Sequence, residues 1–72
     1  MKAPTQLVVH LKEHRQRAGL TQMELATQVE VSRKTINTVE NGVFVPSTLL
    51  ALRLAKCLGL SVEDLFQLPE GG

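Results

Sequence analysis

Helix start and stop signals recur at short intervals along this chain, so any helices it forms must be short. Hydroxyl residues able to cap a helix stand at Thr21, Ser32, Ser47 and Ser61. Glycines able to end one stand at Gly19, Gly42 and Gly59. Thr21 and Glu24 are spaced as a capping box, in which the hydroxyl takes the third amide and the carboxylate reaches back. Between these signals the apolar residues fall at helical intervals. Leu7, Leu11 and Ala18 mark one face of a first helix opening after Pro4 and Thr5, and Leu25, Ala26 and Val29 mark a second. Ser32 opens a third helix reaching about Asn41, with Ile36 and Val39 inward. Pro46 and Ser47 open a fourth that runs to Leu58. Ser61 to Asp64 cap a short fifth helix through Leu65 and Phe66, closed by Pro69. The pattern predicts an all-α, five-helix bundle forming one domain over residues 1–72, with 67–72 as a tail.

At 72 residues the chain buries only about 60% of its unfolded surface, so it needs a dense core or a partner. Phe44 and Phe66 are its only aromatic residues, and aliphatic side chains must build that core. The lack of Trp and Tyr, with few β-branched runs, argues against a sheet and against an aromatic platform for single-stranded nucleic acid. The lone Cys57 excludes an internal disulfide and fits a reducing compartment. No apolar run approaches the ~18 residues of a membrane span, and the N-terminus lacks a signal-peptide core. A soluble cytoplasmic protein is expected, with no cofactor, no metal and no membrane partner.

The net charge of +1 excludes little, but its distribution is uneven. Through residue 39, Lys2, Lys12, Arg15, Arg17, Arg33 and Lys34 outweigh Glu13, Glu24 and Glu30. Beyond it, Glu40, Glu63, Asp64 and Glu70 outweigh Arg53 and Lys56. Such a split fits one face turned to phosphates and another turned to a partner.

The second and third helices are joined only by Glu30-Val31, and Leu25, Ala26, Val29, Val31, Ile36 and Val39 converge on one small core. A small residue at Ala26 lets two steeply crossed helices approach closely. The outer face of the third helix is then Ser32, Arg33, Lys34, Asn37, Thr38 and Asn41. Arg, Lys, Asn and Thr on a short helix suit the donor and acceptor pattern of the DNA major groove. An ordinary solvated face would have the same composition, and the residues alone leave both readings open.

The run from Leu20 through Gly42 resembles the helix-turn-helix of the lambda repressor/Cro-like (XRE) family. Pro46-Ser47, the stretch from Ala51 to Lys56, and Leu58 to Phe66 continue the family pattern, so the resemblance covers residues 7–66. It implies a non-enzymatic, sequence-specific regulator of transcription that binds double-stranded DNA, bacterial or phage-encoded and nucleoid-associated when bound. A repressor-type homodimer on an inverted repeat is the leading expectation. By the same resemblance Arg33, Lys34, Asn37 and Thr38 read bases, while Gln22, Ser32 and Asn41 contact the DNA backbone. Arg15 and Glu40 resemble a pair bridging the first helix to the end of the third.

The chain departs from the family at three places. Glu30 stands where relatives have a turn glycine, at a cost on the order of 1 kcal/mol if the backbone is left-handed there. Val43-Phe44-Val45 replaces a loop that often carries a basic residue. Leu49 occupies a position usually polar in relatives. Leu49, Leu65 and Phe66 are the candidates for a dimer interface.

Other signals carry less. His10-Leu11-Lys12-Glu13-His14 fits the H-x-x-E-H zinc-protease pattern, but the chain is too small for such a scaffold and Leu11 is needed in the core. Cys57 reads as a half-buried, inert thiol. Phe44 is expected to plug the loop. Leu49, Leu50, Leu52 and Leu54 spread over more than one helix face, so part of that cluster is a candidate partner surface. A protein-interaction module such as an antitoxin is the alternative function, as is the reading head of a longer regulator joined through Gly71-Gly72.

Overall fold

The computed structural model of the protein describes residues 7–70. Along the chain run β1 (Val8–Val9), α1 (Leu11–Arg17), α2 (Gln22–Val29), α3 (Arg33–Glu40), α4 (Thr48–Leu58), α5 (Val62–Leu65) and β2 (Phe66–Gln67). Hydroxyl caps set four of the five helix starts. Thr21 Oγ1 accepts from the Glu24 amide at 3.0 Å and Glu24 Oε1 accepts from the Thr21 amide at 2.8 Å, closing the capping box. Ser32 and Ser47 cap α3 and α4 through the amides of Thr35 and Leu50, both at 3.1 Å. Ser61 and Asp64 form a second reciprocal box at the start of α5. Hydrogen bonds from the Ser61 backbone and then its side chain hold the Asp64 carboxyl below its ordinary range. That contribution to stability is full at neutral pH and fades as pH falls below about 3.8, where an unfolded Asp takes up its proton.

The first helix starts later than its apolar spacing predicts. Val8 and Val9 are extended and pair antiparallel with Gln67 and Phe66. Adjacent β-branched residues lose rotamer freedom in a helix and suit a strand. His10 follows as the cap of α1, and its amide donates to the Leu65 carbonyl at 2.8 Å. Phe66 correspondingly leaves α5 with extended dihedrals, φ −133° and ψ 130°. The bundle therefore carries a small two-stranded sheet, and Gln67 belongs to it rather than to the tail. Ala18, expected on the inner face, is the exposed C-cap of α1. Pro4 and Thr5, the expected helix opening, and Gly71-Gly72, the expected linker, lie outside the described residues.

The core is aliphatic, as expected. Leu11, Leu25, Ala26, Ile36, Val39, Leu54 and Leu65 are fully buried, with Val29, Leu50, Ala51, Ala55 and Phe66 beside them. Each large aliphatic side chain buried this way contributes about 1.5–3 kcal/mol. Two of the interface candidates thus fail on burial. Leu65 is fully buried in the chain's own core and Phe66 keeps only its edge in a surface groove, so Leu49, 58% exposed, is the one of the three that stands out from the surface.

Four helix ends are built alike. Gly19, Glu30, Gly42 and Gly59 are left-handed. In each case the next residue's amide closes a wide turn to the carbonyl five residues earlier: Leu20 to Arg15, Val31 to Ala26, Val43 to Thr38 and Leu60 to Ala55. Glu30, with φ 64°, is the one non-glycine with positive φ among the described residues. Glu30→Gly is expected to remove about 1 kcal/mol of strain, partly offset by glycine's freedom in the unfolded chain. The thermal midpoint should rise by about 2–4 °C, which calorimetry would detect. No rise would show that the left-handed turn carries no strain at Glu30.

Candidate nucleic-acid interface

The two-helix unit that holds the candidate face is fixed from inside. Ala26, Val29, Ile36 and Val39 are buried between α2 and α3. Ile36 and Val39 lie on one side of α3, so Arg33, Lys34, Asn37 and Thr38 turn outward by helical geometry. Ser32, Arg33, Lys34 and Asn41 are exposed, and Asn37 and Thr38 are half-buried. The first turn of α3 contains no acid, and Arg33 and Lys34 sit there against the positive end of the helix dipole.

Glu40 is the one carboxylate on α3, and its side chain is only 2% exposed. Arg15 holds it by a two-pronged contact, Nε to Oε2 at 2.6 Å and Nη2 to Oε1 at 3.2 Å. The third guanidinium nitrogen of Arg15, Nη1, donates to the Leu20 carbonyl at 2.8 Å. The Arg15 side chain is itself only 9% exposed. The pair ties α1 to α3 and removes a negative charge from the outer face.

The network continues outward through Gln22. Its Nε2 donates to Glu40 Oε1 at 3.0 Å, and its Oε1 accepts from Arg33 Nη1 at 3.3 Å. A hydrogen-bonded chain therefore runs from buried Arg15 to the exposed guanidinium of Arg33. The sequence signals did not reveal that Gln22 joins the ion pair to Arg33, because the residues involved lie far apart in the chain. Asn41 donates from Nδ2 to Asn37 Oδ1 at 3.2 Å, which leaves the Asn37 amide donors for other partners. Thr38 Oγ1 donates to the Thr35 carbonyl at 3.0 Å.

The loop after α3 is where structure and expectation differ most. Phe44 is 49% exposed and plugs nothing, and Val43 is 75% exposed. Elsewhere, His10 Nδ1 lies 3.1 Å from Glu13 Oε1 and Nε2 lies 3.4 Å from Gln67 Oε1, so both ring nitrogens have protein partners. Cys57 is half-buried and its thiol donates to Gln28 Oε1 at 2.9 Å. Among the described residues no helix is long and apolar enough to cross a membrane.

Comparison with known proteins agrees with this geometry. The sequence matches the helix-turn-helix domain family over residues 6–68. Over 63 residues it is 49% identical to an HTH-type transcriptional regulator of Methanothermobacter thermautotrophicus, covering 86% of this chain and 91% of that one. It is similar in structure to the restriction-modification controller protein C.AhdI from Aeromonas hydrophila. The TM-score is 0.73 and the identity 34%, over 78% of this chain and 85% of that one. It is also similar to the clp gene regulator ClgR from Corynebacterium glutamicum, with a TM-score of 0.71 and 33% identity over 75% of this chain. This chain spans 57% of ClgR.

Proposed function

This chain belongs to the helix-turn-helix family of transcriptional regulators, and we propose that it binds an inverted repeat in double-stranded DNA as a repressor-type homodimer. The observation that carries the reading is the sign and chemistry of one face. Arg33, Lys34, Asn37, Thr38 and Asn41 stand on the outer side of α3, while its one carboxylate is buried against Arg15. Two cations at a helix N-terminus are unfavourable in isolation, and the phosphates flanking a major groove compensate for them. Arg33, Lys34, Asn37 and Thr38 take the base-reading role. Gln22, Ser32 and Asn41 line the start and end of the same face and take the phosphates, which position a protein without specifying sequence.

Self-association is assigned to α4. Leu49 and Leu52 stand one turn apart on it, 58% and 55% exposed, while Leu50 and Leu54 face inward. Beside Leu52 an open groove of about 230 Å³ is lined with Leu7, Val45, Pro46, Ala51, Val62 and Phe66 among others. A second copy covering this face would remove its apolar surface from water. A protein partner on the same face is the second reading, favoured by the same exposed leucines.

Selection from a random duplex library with the purified protein tests the proposal. Two inverted half-sites are the expected consensus, and enrichment of nothing would favour the protein-partner reading. Sedimentation over a concentration series is expected to show a weak dimer, tightened by the selected duplex and lost in Leu49→Glu. A strict monomer at high concentration, unchanged by Leu49→Glu and bound singly to DNA, would rule out the dimer.

A further inference from the structure

The geometry points to an apolar element of base recognition outside α3: Val43 and Phe44, together with Thr38, form a shallow seat for the C5 methyl group of a thymine. The inference rests on the DNA-binding reading above and extends it to residues that the polar face does not include.

The four matching helix ends supply the first observation. After the left-handed residue, Leu20, Val31 and Leu60 tuck back and pack against the core. Val43 occupies the equivalent place after Gly42, with the same wide turn, yet it is 75% exposed. A fold that half-buries its apolar residue against the core at three such ends leaves it outside at the fourth, which is the end of α3. The second observation is how the loop is held. The Thr38 carbonyl accepts both the Val43 amide, at 3.0 Å, and the Phe44 amide, at 3.2 Å. The two apolar residues are therefore pinned by their backbone to the outer part of α3.

Between them and the helix lies an open groove of about 320 Å³, lined by Ser32, Lys34, Thr35, Thr38, Val43 and Phe44. No carboxylate lines it. The hydroxyls already have partners in the chain. Ser32 and Thr35 share a hydrogen bond of 2.9 Å, and Thr38 donates to the Thr35 carbonyl. The groove thus offers apolar surface plus one ammonium at Lys34, and Lys34 belongs to the face assigned to DNA. In a major groove the apolar group on a base edge is the thymine methyl. Phosphates to either side match the charge of Lys34. A methyl group of DNA is therefore the occupant that fits both the apolar wall and the cation on its rim.

Uracil substitution isolates the claim, because it deletes only that methyl. Each thymine of the selected duplex is replaced singly and binding is measured at fixed salt. One thymine in each half-site is expected to show about a fourfold loss, the effect of one buried methyl-sized group. That loss should fall to nearly nothing in Val43→Ser and in Phe44→Ala, while their affinity for the uracil duplex changes little. Thermal melts of both variants check that the fold is retained, and Val43 is exposed enough for its replacement to be harmless. A consensus without thymine, or a uracil penalty kept in full by both variants, would overturn the inference alone. Absence of any consensus would overturn the DNA-binding reading and this inference with it.

Discussion

Replacing Glu40 with alanine is expected to cost about 3–5 kcal/mol of folding stability, the penalty of leaving a buried charge without its partner. Both members of the pair are withdrawn from water, with side chains 9% exposed at Arg15 and 2% at Glu40. An exposed pair would contribute at most about 1 kcal/mol, so burial decides the size of the effect. Glu40 also accepts from Gln22, so its removal orphans donors on two side chains. Small domains hold only about 5–15 kcal/mol in total, and the variant should lose about 12 °C or more from its thermal midpoint. Glu40→Gln keeps an acceptor for Arg15 and Gln22 and should fall between wild type and Glu40→Ala. Arg15→Met with Glu40→Leu should recover much of the loss, because the pair is then replaced by apolar volume instead of broken. A double-mutant cycle on thermal or urea unfolding measures the coupling. Coupling indistinguishable from zero would mean that the pair contributes nothing beyond its two separate side chains.

Arg33→Ala is expected to lower discrimination at one symmetric base pair in each half-site by about five- to 140-fold. A guanidinium donating two bonds to the O6 and N7 of one guanine discriminates by about 1–3 kcal/mol. Arg33 is the best placed of the four readers for this. Its planar fork stands exposed on the first turn of α3, and one prong is already held by Gln22 at 3.3 Å. Lys34 is a flexible point charge and serves equally on phosphate. Lys34→Ala should weaken binding to all sequences and lower the salt slope by about 1. Gln22→Ala should also weaken binding at every sequence. Because Gln22 links Arg33 to Glu40, it should in addition blunt preference at the base pair read by Arg33. A panel of single-base operator variants at fixed salt separates these outcomes. If Arg33→Ala lowered affinity uniformly and kept the full base preference, Arg33 would be a backbone contact.

Local chemistry made α2 to α5 readable from the chain alone. Caps at Thr21, Ser32, Ser47 and Ser61 use hydrogen bonds that span three residues, and the inward stripe of Ile36 and Val39 follows from helical periodicity. The polar outer face of α3 came with that stripe, since residues that cannot face the core must face water or a ligand. The Arg15–Glu40 pair was suggested only by family resemblance, because nothing local connects residues 25 positions apart. Tertiary structure decided the rest. Val8 and Val9 became a strand because Phe66 and Gln67 lie beside them, a pairing across nearly the whole described chain. Of four leucines near the start of α4, packing buried Leu50 and Leu54 and left Leu49 and Leu52 outside. Leu65 and Phe66 went into the core, where an apolar residue belongs unless another molecule covers it. Val43 and Phe44 stayed exposed although the turn after α3 matches the three that tuck an apolar residue back against the core. Whether an apolar side chain is covered depends on what the fold brings next to it, and short-range spacing carries no record of that.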